Sequence, residues 1–259
     1  ALGGLEITGP STIISGAIGV TGDQDFFRMT LATPQIVRME TFDSTGDDCT
    51  VANGVGGPMR IVLQDGAGTT LKQDTETKGI GTCSALVTSL AAGTYYVRVD
   101  RSNTGTITDY RLQVKMQTDL GSETETNETI ATANSLTRSD VYVFGGMQVT
   151  TDLDTYAVFV PAGKSLRVET IEGSGAETCE SNGIDSRIRL FNPAGTELGN
   201  DSDAGRGFCS LIDGTGATPL NAYARNLPGG IYYLRVEPHT PGSASAAMQF
   251  DYRLVVTVR

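Results

Sequence analysis

The chain has 259 residues, with 30 acidic against 19 basic side chains, a formal net charge of −11 and a single histidine. That balance excludes a nucleic-acid binder, whose phosphates demand a basic surface, and no run of about 18 apolar residues offers a membrane-spanning helix. Thirty-two glycines, frequent Asn and Asp turn signals and no long apolar stripe at helical spacing point to an all-β chain.

In chain order, DQDFFRMTL (23–31) reads as a strand opened by an Asp pair, and VRMETF (37–42) alternates apolar and polar residues like a half-buried antiparallel strand. RIVLQDGAGTTL (60–71) reads as two strands around a tight turn. LAAG (90–93) then launches GTYYVRVD (93–100). There Tyr95, Val97 and Val99 share one face and Tyr96, Arg98 and Asp100 the other, because side chains alternate along a strand. DYRLQVKM (109–116) follows, and after it the polar, acidic stretch DLGSETETNETIATANS (119–135). Its Ala131, Ala133 and Ser135 read as a short helical turn or a segment lying flat on what comes next.

The series then repeats. DLDTYAVFV (152–160), LRVETI (166–171), RIRLFNPAGTEL (187–198), LPGG (227–230), GIYYLRVE (230–237) and DYRLVVTV (251–258) return in the same order. The unit is too long for a solenoid turn or propeller blade of roughly 20–50 residues and has the size of a domain. The expected organisation is two tandem jelly-roll-like antiparallel β-sandwiches, 1–118 and 119–259, of about eight strands each. The second carries the acidic linker 119–135. Residues 1–118 have a net charge of −3 and residues 119–259 of −8, a difference owed partly to Glu123, Glu125 and Glu128.

Four cysteines fall two to a repeat at matching places, Cys49 and Cys83 around RIVLQDGAG, Cys179 and Cys209 around RIRLFNPAG. The spacing predicts the disulfides Cys49–Cys83 and Cys179–Cys209, against four free thiols or a metal site. A disulfide per domain predicts an oxidising compartment and hence a secreted or cell-surface protein, with Ala1 read as the start of a processed chain.

Four stretches together resemble one family. They are the linker ETETNETIATANSL, the DxD-plus-aromatic strand starts (Asp23–Phe26 and Asp152–Tyr156), the hairpin Asn192–Leu198, and the AAGTYYVRV/PGGIYYLRV strands followed by DYRL. Each repeat is similar to the bacterial pre-peptidase C-terminal domain, a calcium-associated jelly-roll module of secreted peptidases that includes the collagen-binding domains of collagenases. On pattern alone, Glu123-x-Glu125-x-Asn127-Glu128 with Asp152 and Asp154 reads either as a solvated linker with turn-capping aspartates or as an oxygen cage for Ca²⁺. The resemblance implies the cage, with Glu123, Glu125, Asn127, Glu128, Asp152 and Asp154 as ligands. Repeat one keeps Asp23 and Asp25 without the linker, so one calcium site is expected, in repeat two. Asp201 and Asp203 in NDSDAG read as a polar hairpin tip.

No catalytic constellation stands out. His239 lies in the turn EPHTPG, Ser84 and Ser210 sit beside cysteines outside any G-x-S-x-G pattern, and no Gly-rich loop precedes a helix. Tyr96, Arg98, Tyr233 and Arg235 offer a ligand face, since aromatic and Arg side chains anchor interfaces. The expected function is a non-catalytic, secreted, calcium-stabilised module. It binds an extracellular protein or polysaccharide, or serves the export or folding of an attached enzyme. The alternative is a structural subunit of a surface filament, appendage or adhesin that binds copies of itself.

Overall fold

The computed structural model describes residues 5–43, 59–75, 83–137, 139–149, 151–172, 179, 185–205, 209–216, 218–239 and 249–259. The chain divides into two compact units, Ala1–Gln117 with Gly216–Thr218, and Thr118–Thr215 with Pro219–Arg259.

The first unit contains β1 (Leu5–Ile7), β2 (Ser11–Ile18), β3 (Gln24–Leu31), β4 (Gln35–Phe42), β5 (Met59–Asp65), β6 (Thr70–Thr75), β7 (Ala85–Leu90), β8 (Gly93–Arg101) and β9 (Ile107–Ser122). The last residues of β9, from Thr118, belong to the second unit. One sheet has the order β1-β3-β8-β5-β6, and the other runs β2-β9-β4-β7. The pairs β2–β9, β3–β8, β4–β7 and β5–β6 are nested one inside the next. Nesting of this kind is the jelly roll, a long hairpin folded over into two sheets. β1 is an addition, lying parallel to β3 at the sheet's edge.

The second unit contains β10 (Asn134–Leu136), β11 (Val141–Gly146), β12 (Asp154–Val160), β13 (Leu166–Glu172), β14 (Ser186–Phe191), β15 (Glu197–Asp201), β16 (Leu211–Asp213), β17 (Gly230–Pro238) and β18 (Asp251–Val258). Its sheets are β10-β12-β17-β14-β15 and β11-β18-β13-β16, strand for strand the order of the first unit. Among the described residues each unit therefore has nine strands rather than about eight. The extra ones, β1 and β10, are three residues long, too short for alternation to register.

Alternation supplies each core. Ile61, Leu63, Val97, Val99, Leu112 and Val114 point inward in the first unit, and Ile188, Leu190, Leu234, Val236, Leu254 and Val256 in the second, all fully buried. The expectation of half-burial fails for β4 and β13, where nearly every residue is buried on both faces. Charge pairing along and across the strands makes this tolerable: Arg38 Nε meets Glu40 Oε2 at 3.1 Å, and Arg167 meets both Glu169 (3.3 Å) on its own strand and Asp213 on β16. A buried ion is costly unless paired. Cys179 and Cys209 form the expected disulfide. Cys83 is disulfide-bonded, while Cys49 lies outside the described residues.

Candidate metal centre

The acidic segment is delivered to the second sandwich by the end of β9. Residues Thr118 to Ser122 run parallel to β11, with Val141 opposite Thr118 and Phe144 opposite Ser122. Glu123 follows immediately, its N–H donating to Phe144 O at 2.8 Å. The chain is then pinned twice. Asn134 accepts from Thr124 N–H at 2.7 Å and donates to Thr124 O at 2.8 Å, and Thr155 N–H donates to Asn127 O at 2.9 Å. The segment ends in a single 3₁₀ turn, Ile130–Thr132, whose threonines Thr129 and Thr132 cap each other. A helical turn was one of the two sequence expectations for this stretch.

The two aspartates arrive from the other side. Asp152 closes a turn, accepting Gln148 N–H at 2.7 Å and Leu153 N–H at 3.1 Å. Asp154 and Tyr156 open β12, and the two-residue period sends both side chains inward, where each is fully buried. Carboxylate oxygens of Glu123, Glu125 and Asp154 lie within 4.8 Å of one another, and so do those of Glu125, Glu128 and Asp152. The five predicted carboxylates thus form two groups sharing Glu125. Asn127, the sixth predicted residue, is fully buried and donates from Nδ2 to Glu123 Oε2 at 3.2 Å.

Sequence reasoning missed the tyrosines that hold these acids. Tyr156 O–H donates to Glu123 Oε2 at 2.6 Å, Tyr252 O–H to Asp154 Oδ2 at 2.6 Å, and the two phenols lie 2.7 Å apart. Glu123 Oε1 also accepts Gly146 N–H at 2.6 Å. Tyr252 fits because Gly145 opposes it across the β11–β18 ladder, and a Cβ there would collide with the phenol ring. The recurring DYRL motif carried the signal, read only as a strand.

Electrostatically the site is overloaded with negative charge. Burial, reinforced by the neighbouring Glu123, pushes the Asp154 carboxyl up to about 9. Burial, then the charges of Asp152, Glu123 and Glu128, raises Glu125. Burial raises both phenols well above their usual value. No basic side chain contributes to any of these shifts. Asp154 Oδ1 and Asn127 Oδ1 are buried acceptors with no hydrogen-bond donor among the described residues. A buried acceptor left so costs about 1–3 kcal/mol.

The first unit reproduces half of this arrangement. Asp23 accepts Gly19 N–H at 2.9 Å and Gln24 N–H at 3.0 Å, as Asp152 does from the residues four before and one after it. Tyr110 O–H donates to Asp25 Oδ2 at 2.6 Å, opposite Gly16 in the β2–β9 ladder. Phe27 stands where the second unit has Tyr156, and the described residues supply no counterpart of Glu123, Glu125, Asn127 or Glu128.

The other predicted positions form no comparable site. On the outward face of β8, beside the half-buried Tyr96, Asp100 pairs with Arg98 at 2.9 Å and with Arg60 of the neighbouring β5 at 2.7 Å. On β17, Arg235 lies over the Phe191 ring at 5.0 Å, next to Tyr233, and Glu237 receives Arg189 at 2.7 Å. These arginines and acids are largely spent on one another. Asp201 shapes its hairpin, accepting Ala204 N–H at 3.0 Å and Leu211 N–H at 2.9 Å. Asp203 instead joins Asp185 and His239, with oxygen and ring-nitrogen atoms within 4.8 Å, a grouping the sequence did not suggest. Ser84 and Ser210 are fully buried and donate to backbone carbonyls.

No protein-family model and no curated protein matches the chain. Among solved structures it is similar to the pre-peptidase C-terminal domain of a Bacillus anthracis collagenase, at 20% identity over 43% of this chain and 94% of that one, with a TM-score of 0.32. It is similar also to PliG of Aeromonas hydrophila, a periplasmic inhibitor of g-type lysozyme (15% identity, 44% and 95% coverage, TM-score 0.31). A third is the PBSX exported protein XepA, at 10% identity over 95% of this chain and 86% of that one, with a TM-score of 0.30. Likeness at this level assigns no family or activity. Among the described residues no helix is long and apolar enough to cross a membrane.

Proposed function

We propose that the second unit binds a hard divalent cation, calcium by the chemistry of its donors, and that the chain is a non-catalytic module working outside the cytoplasm. The observation that carries the cation is the pair of buried, donor-less oxygens, Asp154 Oδ1 and Asn127 Oδ1, beside the carboxylates of Glu123 and Glu125. Oxygen-only donors from carboxylates and an amide suit Ca²⁺, which takes six to eight such ligands, whereas transition metals favour imidazole or thiolate. Glu123, Glu125, Asn127 and Asp154 would hold the ion, with Glu128 and Asp152 beside them. Its charge would offset the burial and the repulsion that raise the Asp154 carboxyl.

Compartment follows from the Cys179–Cys209 disulfide, because disulfides persist where the medium is oxidising and extracellular calcium is plentiful enough for a modest site. The role outside is to bind an extracellular protein or polysaccharide, or to assist an attached enzyme.

Thermal unfolding with and without chelator tests the cation. A ligand at about 100 times its Kd that binds only the folded state adds roughly 2.7 kcal/mol. Calcium should raise the melting temperature of the wild type and leave Glu123→Gln unmoved. A melting curve indifferent to chelator, with no calcium retained at equilibrium dialysis, would sink the assignment.

A further inference from the structure

In the second unit, β11 is bordered on one side by β18 and on the other by the parallel segment Thr118–Ser122. Its counterpart in the first unit is β2, matched through Gly16 opposite Tyr110 and Gly145 opposite Tyr252. Among the described residues β2 pairs only with β9. Among the described residues its other edge carries no strand, and an open edge of this kind is a template for another strand. Ile13 on β2 is 60% exposed, while Tyr142, the matching residue of β11, is 5% exposed. Beyond the end of this edge stand Asp23, Asp25 and Tyr110 in the geometry of Asp152, Asp154 and Tyr252. The second unit displays what completes such a frame: a short parallel strand running directly into an acidic segment.

We propose that the first unit is a strand acceptor, taking from another polypeptide an extended acidic segment patterned like residues 118–128. That segment pairs parallel with β2 and sets its glutamates and asparagine against Asp23 and Asp25. Backbone pairing at a sheet edge gives affinity, and the side chains give selectivity. Carboxylates would again meet carboxylates, so a divalent cation strengthens capture, and to that extent the inference rests on the cation reading of the second unit. Phe27 replaces Tyr156, so the incoming glutamate lacks one phenol donor and is held less tightly than Glu123.

The test is titration of the full chain with a labelled synthetic peptide of residues 117–130, in calcium, against a scrambled peptide of the same composition. Saturable binding is expected for the native order alone, with slowed amide exchange across Ser11–Ile18. Asp25→Asn should weaken it about tenfold, and Phe27→Tyr, which restores the missing donor, should tighten it about tenfold, as hydrogen bonds to charged groups are worth. The gain in Phe27→Tyr guards against misreading a folding defect. Equal binding of the scrambled peptide, protection anywhere but β2, or no gain in Phe27→Tyr overturns the proposal. A melt indifferent to chelator, with the peptide still protecting β2, removes the cation reading and leaves strand capture standing.

Discussion

The two sandwiches share their nine-strand order, their nested pairing and the glycine that makes room for a buried tyrosine, Gly16 under Tyr110 and Gly145 under Tyr252. They share an Asp pair at one strand start and a buried Arg–Glu pair in the middle of another. They part most sharply at one place: Glu123, Glu125, Asn127 and Glu128 crowd the Asp pair of the second unit, and nothing described crowds that of the first. What recurs serves the jelly roll, because it lies in the strands and the buried contacts between them. What differs most is a charged cluster, the one we propose to hold a cation.

That division can be attacked from both sides. The largest effect should come from the disulfide. Cys179→Ser with Cys209→Ser opens a link with a sequence separation of 30, worth about 3 kcal/mol by loop closure, and urea midpoints should fall for the second unit while the first holds. Next come the glycines. Gly16→Ala and Gly145→Ala each drive a methyl into a tyrosine ring, and each should cost about 1–3 kcal/mol as overpacking does, measured by chemical denaturation. A cost at Gly145 alone would show that Tyr110 and Tyr252 do different jobs.

The most diagnostic effect concerns Asp154, and is read against pH. Its folded carboxyl titrates at about 9 against 3.8 for the free group. The folded state thus binds the proton more tightly, so stability from this group is full below about pH 4 and is lost as pH rises toward 9. In chelator, Asp154→Asn should remove that decline and melt higher than the wild type at pH 8. In calcium the order should invert, because the variant surrenders a charged ligand. Curves that fail to cross would place the acid burden elsewhere.

Much of this fold was legible because it is written in alternation and repeated. GTYYVRVD and GIYYLRVE announce a strand with one apolar face, and Val97, Val99, Leu234 and Val236 do lie in the cores. β4 and β13 misled for a physical reason: their polar faces are also buried, since Arg38 with Glu40 and Arg167 with Glu169 and Asp213 neutralise each other locally, and alternation alone reads such faces as wet. The acidic residues of the site are named through the family resemblance, since the pattern alone also fits a solvated linker, and the fold does bring Glu123, Glu125 and Asp154 together. Tyr252 could not be, since its partner Asp154 is 98 residues away and only a folded ladder brings them together. The grouping of Asp185, Asp203 and His239 was hidden for the same reason, three loops meeting at one end of a sheet.

The run of short contacts from Glu123 through Tyr156 and Tyr252 to Asp154 would make the second unit an exchanger if the proposed cation binds there. Burial and the charge of Glu123 favour the protonated form of the Asp154 carboxyl in the ion-free cluster, so an arriving cation would have to displace that proton before the carboxylate could bind. Occupancy would then follow the ratio of cation to proton activity in the medium.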